Sequence, residues 1–314
     1  MPEKPHPTLL DRSEARAQIA ANFGSQMETL RDVANYGSNL IVRAFVSSPR
    51  DMTAIVTCYV FLKQIVAMVD AVHVLLSEGA GYASHLPARS AFEASLYLHY
   101  VIENDSERRA RRYYVADIRE QQGWARKLIA GTPEAEGLEE LRKSINLESF
   151  LGNPENTAVA NAMLQDAARV LGQPEFLAID AEFDAIRRRR KRDVAWYALD
   201  GISNIRQLAK HLGSFAEYET FYSRGSQAMH SGTYKDHIRI IDNQLHAIPI
   251  RHIMDFNHLI QSVLIVAVSS MRRVVERYRS GEINDLNRRY LTEWRAAMMH
   301  TPTVNYEFNA TGVI

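Results

Sequence analysis

Between Glu219 and Gly232 the chain reads E-T-F-Y-S-R-G-S-Q-A-M-H-S-G, a stretch crowded with side chains able to do chemistry. Tyr218, Tyr222, Ser226 and His230 recur at every fourth residue, so on an α-helix they form one polar and aromatic ridge. A histidine can act as general acid or base near neutral pH, and an arginine such as Arg224 can stabilise charge developing on a phosphoryl group. Tyr222 and Ser226 carry hydroxyls that can hold a phosphate or a sugar, and Glu219 adds a carboxylate. The same residues suit a second arrangement, a buried hydrogen-bonded seam with His230 donating to the last carbonyls of its helix. On a straight helix Arg224 sits about 120° away from His230. The two therefore meet only if the helix ends near Gly232 or if two copies face each other across a two-fold axis.

A second polar group falls on a different apolar segment. Arg89 and Glu93 are spaced so that their side chains meet on one helix face, with Tyr97 next in line, among Phe92, Leu96 and Tyr100. Either this is a structural ion pair, or it is an anion-binding arginine oriented by its carboxylate. Trp196 and Tyr197 add an aromatic pair at a bend, which suits a core or a cofactor platform. No H-E-x-x-H, paired E-x-x-H, G-x-S-x-G or Walker loop occurs, and His237, His246, His252 and His258 lack a carboxylate pattern, so no metal and no cofactor is expected. The basic runs at Arg108–Arg112 and Arg187–Arg192 read as solvated faces, or as an RNA or phosphate surface if they border one cleft.

The elements that must position these groups are helical. Ile19, Phe23, Met27, Leu30, Val33 and Leu40 form one stripe of a helix over about 12–46. Ser48, Pro49 and Asp51 then supply a capping signal for a helix to about Ser77, apolar nearly all round and so expected to be the central buried one. Further helices are predicted at 86–103, opened by Ser84 and Pro87, and at 107–129, opened by Ser106. Residues 131–174 break into short pieces at G-T-P, G-N-P and G-Q-P and are expected to be an insertion or lid-like excursion. Helical character returns over 175–192. Ser203 should cap a helix over 204–212 that Gly213 ends, followed by helices at 215–230, 252–279 and 284–299. Ile238, Ile240 and Ile241 are the only hint of extended structure, and residues 302–314 read as a loose tail. The expected fold is all-α, a multi-helix bundle forming a single domain over 1–314.

Composition agrees. A chain of 314 residues with 46% apolar and 24% charged residues can bury a real core. Equal numbers of basic and acidic residues, 37 of each, leave any nucleic-acid affinity to local clusters. The single cysteine, Cys58, excludes a disulfide framework and reads as a small core residue. No signal-peptide pattern opens the chain, and the apolar stretch 54–69 is too short and too polar for a membrane span, so a cytoplasmic protein without a membrane partner is expected.

Two family resemblances reach the same residues. The chain resembles an uncharacterised bacterial all-helical family through Arg89-Ser90-Ala91-Phe92-Glu93, Trp196-Tyr197, the S-N-I-R-Q-L-A segment from Ser203, and Tyr222, Ser226 and His230 in a Y-x-x-x-S-x-x-x-H pattern. That resemblance implies a shared helical fold. Glu219, Arg224 and His230 are also similar to the E-x3-K-R-x4-6-H motif of HEPN (higher eukaryotes and prokaryotes nucleotide-binding) domains, although Ser223 stands at the lysine position and Gly225 follows the arginine. The HEPN resemblance implies a homodimeric, metal-independent ribonuclease of toxin or defence type. Arg224 and His230 would then be catalytic, with Arg89, Glu93, Tyr222, Ser226, Glu219 and Trp196 shaping the site. The other function open at this point is a non-enzymatic helical binding or scaffold protein.

Overall fold

The structure is a computed structural model that describes residues 7–46, 48, 54–137, 144, 153–191, 194–229, 237–241 and 243–304. It is an all-α, multi-helix fold. After a short α1 (Pro7–Leu10), α2 (Arg12–Val46) spans the expected range, and all six residues of its predicted stripe are buried. Helix α3 covers Ala54–Ser77; Pro49 and Asp51 of its expected capping signal lie outside the described residues. α3 is not the most buried helix, because Val60, Lys63, Gln64, Ala67, Asp70 and Val74 leave one face in solvent. That place belongs to α4 (Gly81–Glu103), in which Phe92, Leu96, Leu98 and Tyr100 are almost wholly buried. α4 starts five residues before the expected Leu86. Gly81 can open it there because an added Cβ would lie 2.8 Å from the Phe256 ring, while Ser84 donates to the Ala80 carbonyl rather than acting as a cap.

Next come α5 (Ser106–Lys127), α6 (Pro133–Glu136), α7 (Pro154–Leu171) and α8 (Pro174–Arg190). Each of the last three begins at the proline of a G-x-P signal, a ring preset for the first helical turn. Thr132 and Asn153 cap two of them through their side chains. Part of the 131–174 stretch lies outside the described residues. A 3-10 turn at Trp196–Asp200 leads to α9 (Ile205–His211). The cap of α9 is Asn204, one residue later than expected, since its Oδ1 accepts from the Gln207 amide while Gln207 reaches back to Ser203. Gly213, at φ 75°, ends α9 as predicted.

α10 has three parts: Phe215–Glu217, a π turn at Tyr218–Tyr222, and Ser223–Met229. In the π turn the Ser223 amide donates to the Tyr218 carbonyl, five residues back. Strands β1 (Ile238–Ile241) and β2 (Gln244–Ala247) then pair antiparallel, with Ile238 opposite Ala247 and Ile241 opposite Gln244. α11 (Phe256–Tyr278) begins only after Asp255, which holds a left-handed conformation. α12 comprises Ile283–Arg289, a second π turn at Tyr290–Trp294, and Arg295–Met299. Most of the expected tail, residues 305–314, lies outside the described residues.

The chain divides into two compact units, residues 1–51, 58–104 and 209–314 in the first and 52–57 and 105–208 in the second. In the first, the core is built from α2, α4 and α11 with most of α3. Phe23 packs on Phe256 with ring centroids 5.5 Å apart, and Leu30, Val33, Ile65, Leu96 and Leu264 are fully buried. Burial of such side chains contributes about 1.5–3 kcal/mol each. Trp294 donates to Asp32 at 2.6 Å, tying α12 to α2. His99 of α4 meets Ser270 of α11 at 3.3 Å in the interior. By length and composition both α3 and α11 are apolar enough to cross a bilayer, α3 being longer than the 54–69 stretch suggested; about half of each helix's most apolar window is buried within the protein.

In the second unit α5 is the hub on which α6, α7, α8 and the 3-10 turn pack. The arginine cluster at its start is a solvated face only in part, since Arg108 is exposed while Arg109 and Arg112 are buried. Arg112 is almost entirely buried, with Nη1 on Asp200 at 2.5 Å and Nη2 on Glu182 at 3.1 Å. Arg108 bonds the other oxygen of Glu182, and Arg109 lies 3.7 Å from Asp200. Further along, Arg119 pairs with Asp180 and Asp184 of α8. These cations balance the acids of α8 and the turn.

Candidate functional site

In the first unit, α4 presents Arg89 and Glu93 on one face, as their spacing requires, and α10 brings Tyr222 against them. The phenol of Tyr222 donates to Glu93 Oε1 at 2.5 Å. Arg89 donates from Nη2 to the Tyr222 oxygen at 2.7 Å and from Nε to Glu93 Oε1 at 3.3 Å. The guanidinium carbon also stands 4.3 Å from the centroid of the Tyr222 ring. Two neighbours on one helix and a third group 129 residues from Glu93 thus close into one triad.

The close approach depends on Gly225. A Cβ added there would lie 2.9 Å from Arg89 Cβ and 3.0 Å from the His85 carbonyl oxygen, so only glycine lets α10 settle on α4 at this depth. Above the triad the aromatic rings continue: Tyr222 stacks on Tyr218 with centroids 5.0 Å apart, and Tyr218 on Phe215 at 6.4 Å. Lys210 sits 4.7 Å over the Phe215 ring.

Electrostatics keep the Tyr222 phenol protonated. Burial first, then the hydrogen bond to Glu93 and its negative charge, push the Tyr222 phenol well above its ordinary pKa. The phenol therefore stays a donor across the physiological range and is not a general base. Arg89 Nη1 is buried without a hydrogen-bond partner among the described residues.

The other expected site residues distribute as follows. Ser226 is half-buried one turn beyond Tyr222, and Glu219 is exposed, its carbonyl accepting from Ser223. Arg224 turns to an exposed ion pair with Asp255. Trp196 is buried in the second unit, edge-on to Tyr113 and Tyr197. His230 and Gly232 lie outside the described residues. The π turn bears on the ridge expected from spacing of four: with a wider turn between Tyr218 and Tyr222, regular 100° steps no longer relate residues on its two sides.

The second unit holds a cleft with a volume of about 920 Å³ between α5, α6, α7 and α8. Its walls carry Tyr113, Trp124, Phe183 and Trp196 beside Leu171 and Leu177. Trp124 and Leu177 are each 58% exposed. Lys127 lies over the Trp124 ring at 3.7 Å, and Arg126 faces Glu134 at 3.6 Å. Arg119, Asp180 and Asp184 form the paired floor described above, with Asp117, Glu120 and Arg187 around it. Sequence reasoning picked out Trp196 and, through the Arg187–Arg192 run, Arg187 here. The available signal was Trp124 three residues before Lys127 on a helix otherwise dense with charge, which exposes an indole that apolar periodicity does not require. Among the described residues, no group of three His, Cys, Asp or Glu side chains is placed to hold a metal ion.

Comparison with known proteins finds one family, a family of unknown function (DUF5677), matching residues 55–244. The match takes in both the Arg89–Glu93–Tyr222 triad and the cleft, in keeping with the resemblance to an uncharacterised helical family; no HEPN similarity is shown. No curated protein and no solved structure matches the chain.

Proposed function

The chain belongs to this family of unknown function, and from that premise we propose that it is a non-enzymatic helical binding protein whose ligand site is the cleft between α5, α6, α7 and α8. The observation that carries the reading is an indole, Trp124, standing in solvent at the edge of a cleft large enough for a cofactor-sized molecule. An exposed indole can stack on a planar group once the flexible Lys127 side chain swings off its face, and the ammonium beside it then suits an anion. The triad in the first unit supports the same reading from the other side. Its phenol is held protonated, its carboxylate is already bonded, and Arg224 is engaged with Asp255, so these groups act as structure.

The test uses anilinonaphthalene sulfonate, a planar apolar anion, titrated into the full chain. Binding at one saturable site is expected, weakened about tenfold or more by Trp124→Ala, which corresponds to about 1.4 kcal/mol. Circular dichroism and melting should be unchanged, because Trp124 is exposed. The ribonuclease reading is checked on the same protein. Cleavage of single-stranded RNA in the presence of chelator, lost in both Arg224→Ala and His230→Ala, would replace the binding reading.

A further inference from the structure

The outer face of α3 is a candidate interface of a different kind. Val60, Ala67 and Val74 repeat every seven residues along it, and all three are exposed, Val60 by 42% and Val74 by 54%. A spacing of seven keeps one line along a helix, with a drift of about 20° per repeat. Lys63 and Asp70 lie on the same side of that line, each about 50° from it at 100° per residue. Both are exposed, and neither takes an ion pair among the described residues. The opposite side carries Gln64, whose amide is tied to Ser90 of α4 at 3.1 Å, and no charge.

We propose that this face pairs with the same face of a second copy of the chain, as an antiparallel, two-fold helix pair centred on Ala67. The charges select both the partner and the direction. A two-fold axis perpendicular to the two helices brings each flank against the same flank of the other copy. Lys63 of one chain then stands within a residue's rise of Asp70 of the other, and the reciprocal pair forms at the other end. Val60 lies against Val74 of the second copy, and the small Ala67 at the centre allows close approach. A parallel pairing sets the Lys63 and Asp70 flank against the uncharged one and leaves both charges without partners. A lipid surface is the poorer occupant: Lys63, Gln64 and Asp70 fall in the middle of the exposed face, where hydrocarbon penalises each charge by about 2.5–3.5 kcal/mol. A helix pair of some fifteen residues is about 22 Å long. That is a small interface, so association in the micromolar range is expected.

Sedimentation of the full chain over a micromolar concentration series tests the proposal, with circular dichroism as a check on folding. Wild type should move from monomer to dimer as concentration rises. Lys63→Glu and Asp70→Lys, each of which sets like charges together, should weaken the dimer about tenfold or more, or about 1.4 kcal/mol. The variant carrying both should regain most of the wild-type affinity, because the pairs are exchanged. This recovery separates a charge-matched interface from a nonspecific loss of association. A wild type that stays monomeric overturns the proposal, as does a double variant no tighter than the singles. Co-sedimentation with phosphatidylcholine and phosphatidylglycerol vesicles that is lost in Val60→Glu and Val74→Glu also overturns it, in favour of a membrane surface.

Discussion

Gly225 and Arg89 approach so closely that a Cβ built on the glycine would lie 2.9 Å from the Cβ of the arginine. The other near atom is a backbone oxygen, that of His85, which cannot swing aside as a long side chain can. Gly225→Ala should therefore destabilise the fold even though alanine favours helix by about 1 kcal/mol over glycine. Overpacking of this kind costs about 1–3 kcal/mol. Urea denaturation should place Gly225→Ala below wild type and Gly225→Val lower still. A stabilised alanine variant would mean that α10 does not rest on α4 as described.

Tyr222→Phe removes the donor that Glu93 holds at 2.5 Å and the acceptor of Arg89 Nη2. Among the described residues Arg89 would then keep only its hydrogen bond to Glu93, with Nη1 already lacking one. A loss of about 1–3 kcal/mol is expected, the usual cost of leaving part-buried polar groups unpaired. Glu93→Gln should cost a similar amount, and the two substitutions together less than their sum, since both break one network. A Tyr222→Phe change within about 0.5 kcal/mol of wild type would assign the phenol to ligand contact rather than to structure.

Burial, assisted by the charge of Arg273, pushes the His99 imidazole down to about 3. The unfolded chain takes up a proton on this histidine near its ordinary value of about 6.5, and the folded chain does not until much lower pH. Stability from this group is thus complete above about pH 6.5 and falls as pH drops toward about 3, by up to about 1.4 kcal/mol per pH unit. Denaturation midpoints measured from about pH 7.5 to about pH 5 should fall for wild type and fall less for His99→Gln, which cannot titrate. Equal slopes in the two proteins would refute the assignment.

Local contacts explain what could be read before the structure. The stripe of α2, the proline starts of α6, α7 and α8, and the Gly213 stop rest on neighbours within a turn or two, as does the pairing of Arg89 with Glu93. What escaped depends on distant partners. Tyr222 meets its carboxylate 129 residues away, and Arg112 meets Asp200 across 88. Composition marks the Arg108–Arg112 run as a solvated surface, but the acids of α8 and of the 3-10 turn fold over it. α3 misleads in the reverse sense. Its apolar character suggested full burial, yet Val60, Ala67 and Val74 face outward on a helix whose other faces carry Ile65, Val69 and Val72 into the core. The π turn was invisible because hydrophobic spacing of three and four fits an α-helix equally well.

That turn works as a phase shifter in α10. Widening the helix between Tyr218 and Tyr222 sets the rotation of everything after it relative to everything before it. Deleting a single residue along with the wide turn would leave the two ends nearly in phase, whereas winding the same five residues as regular α-helix would rotate one end against the other by about 90°. The Phe215–Tyr218–Tyr222 stack and the Gly225 contact with α4 could not then both survive. The rotation of the Gly225 end against the Phe215 end is therefore held by the winding of one backbone turn, independently of which side chains occupy it.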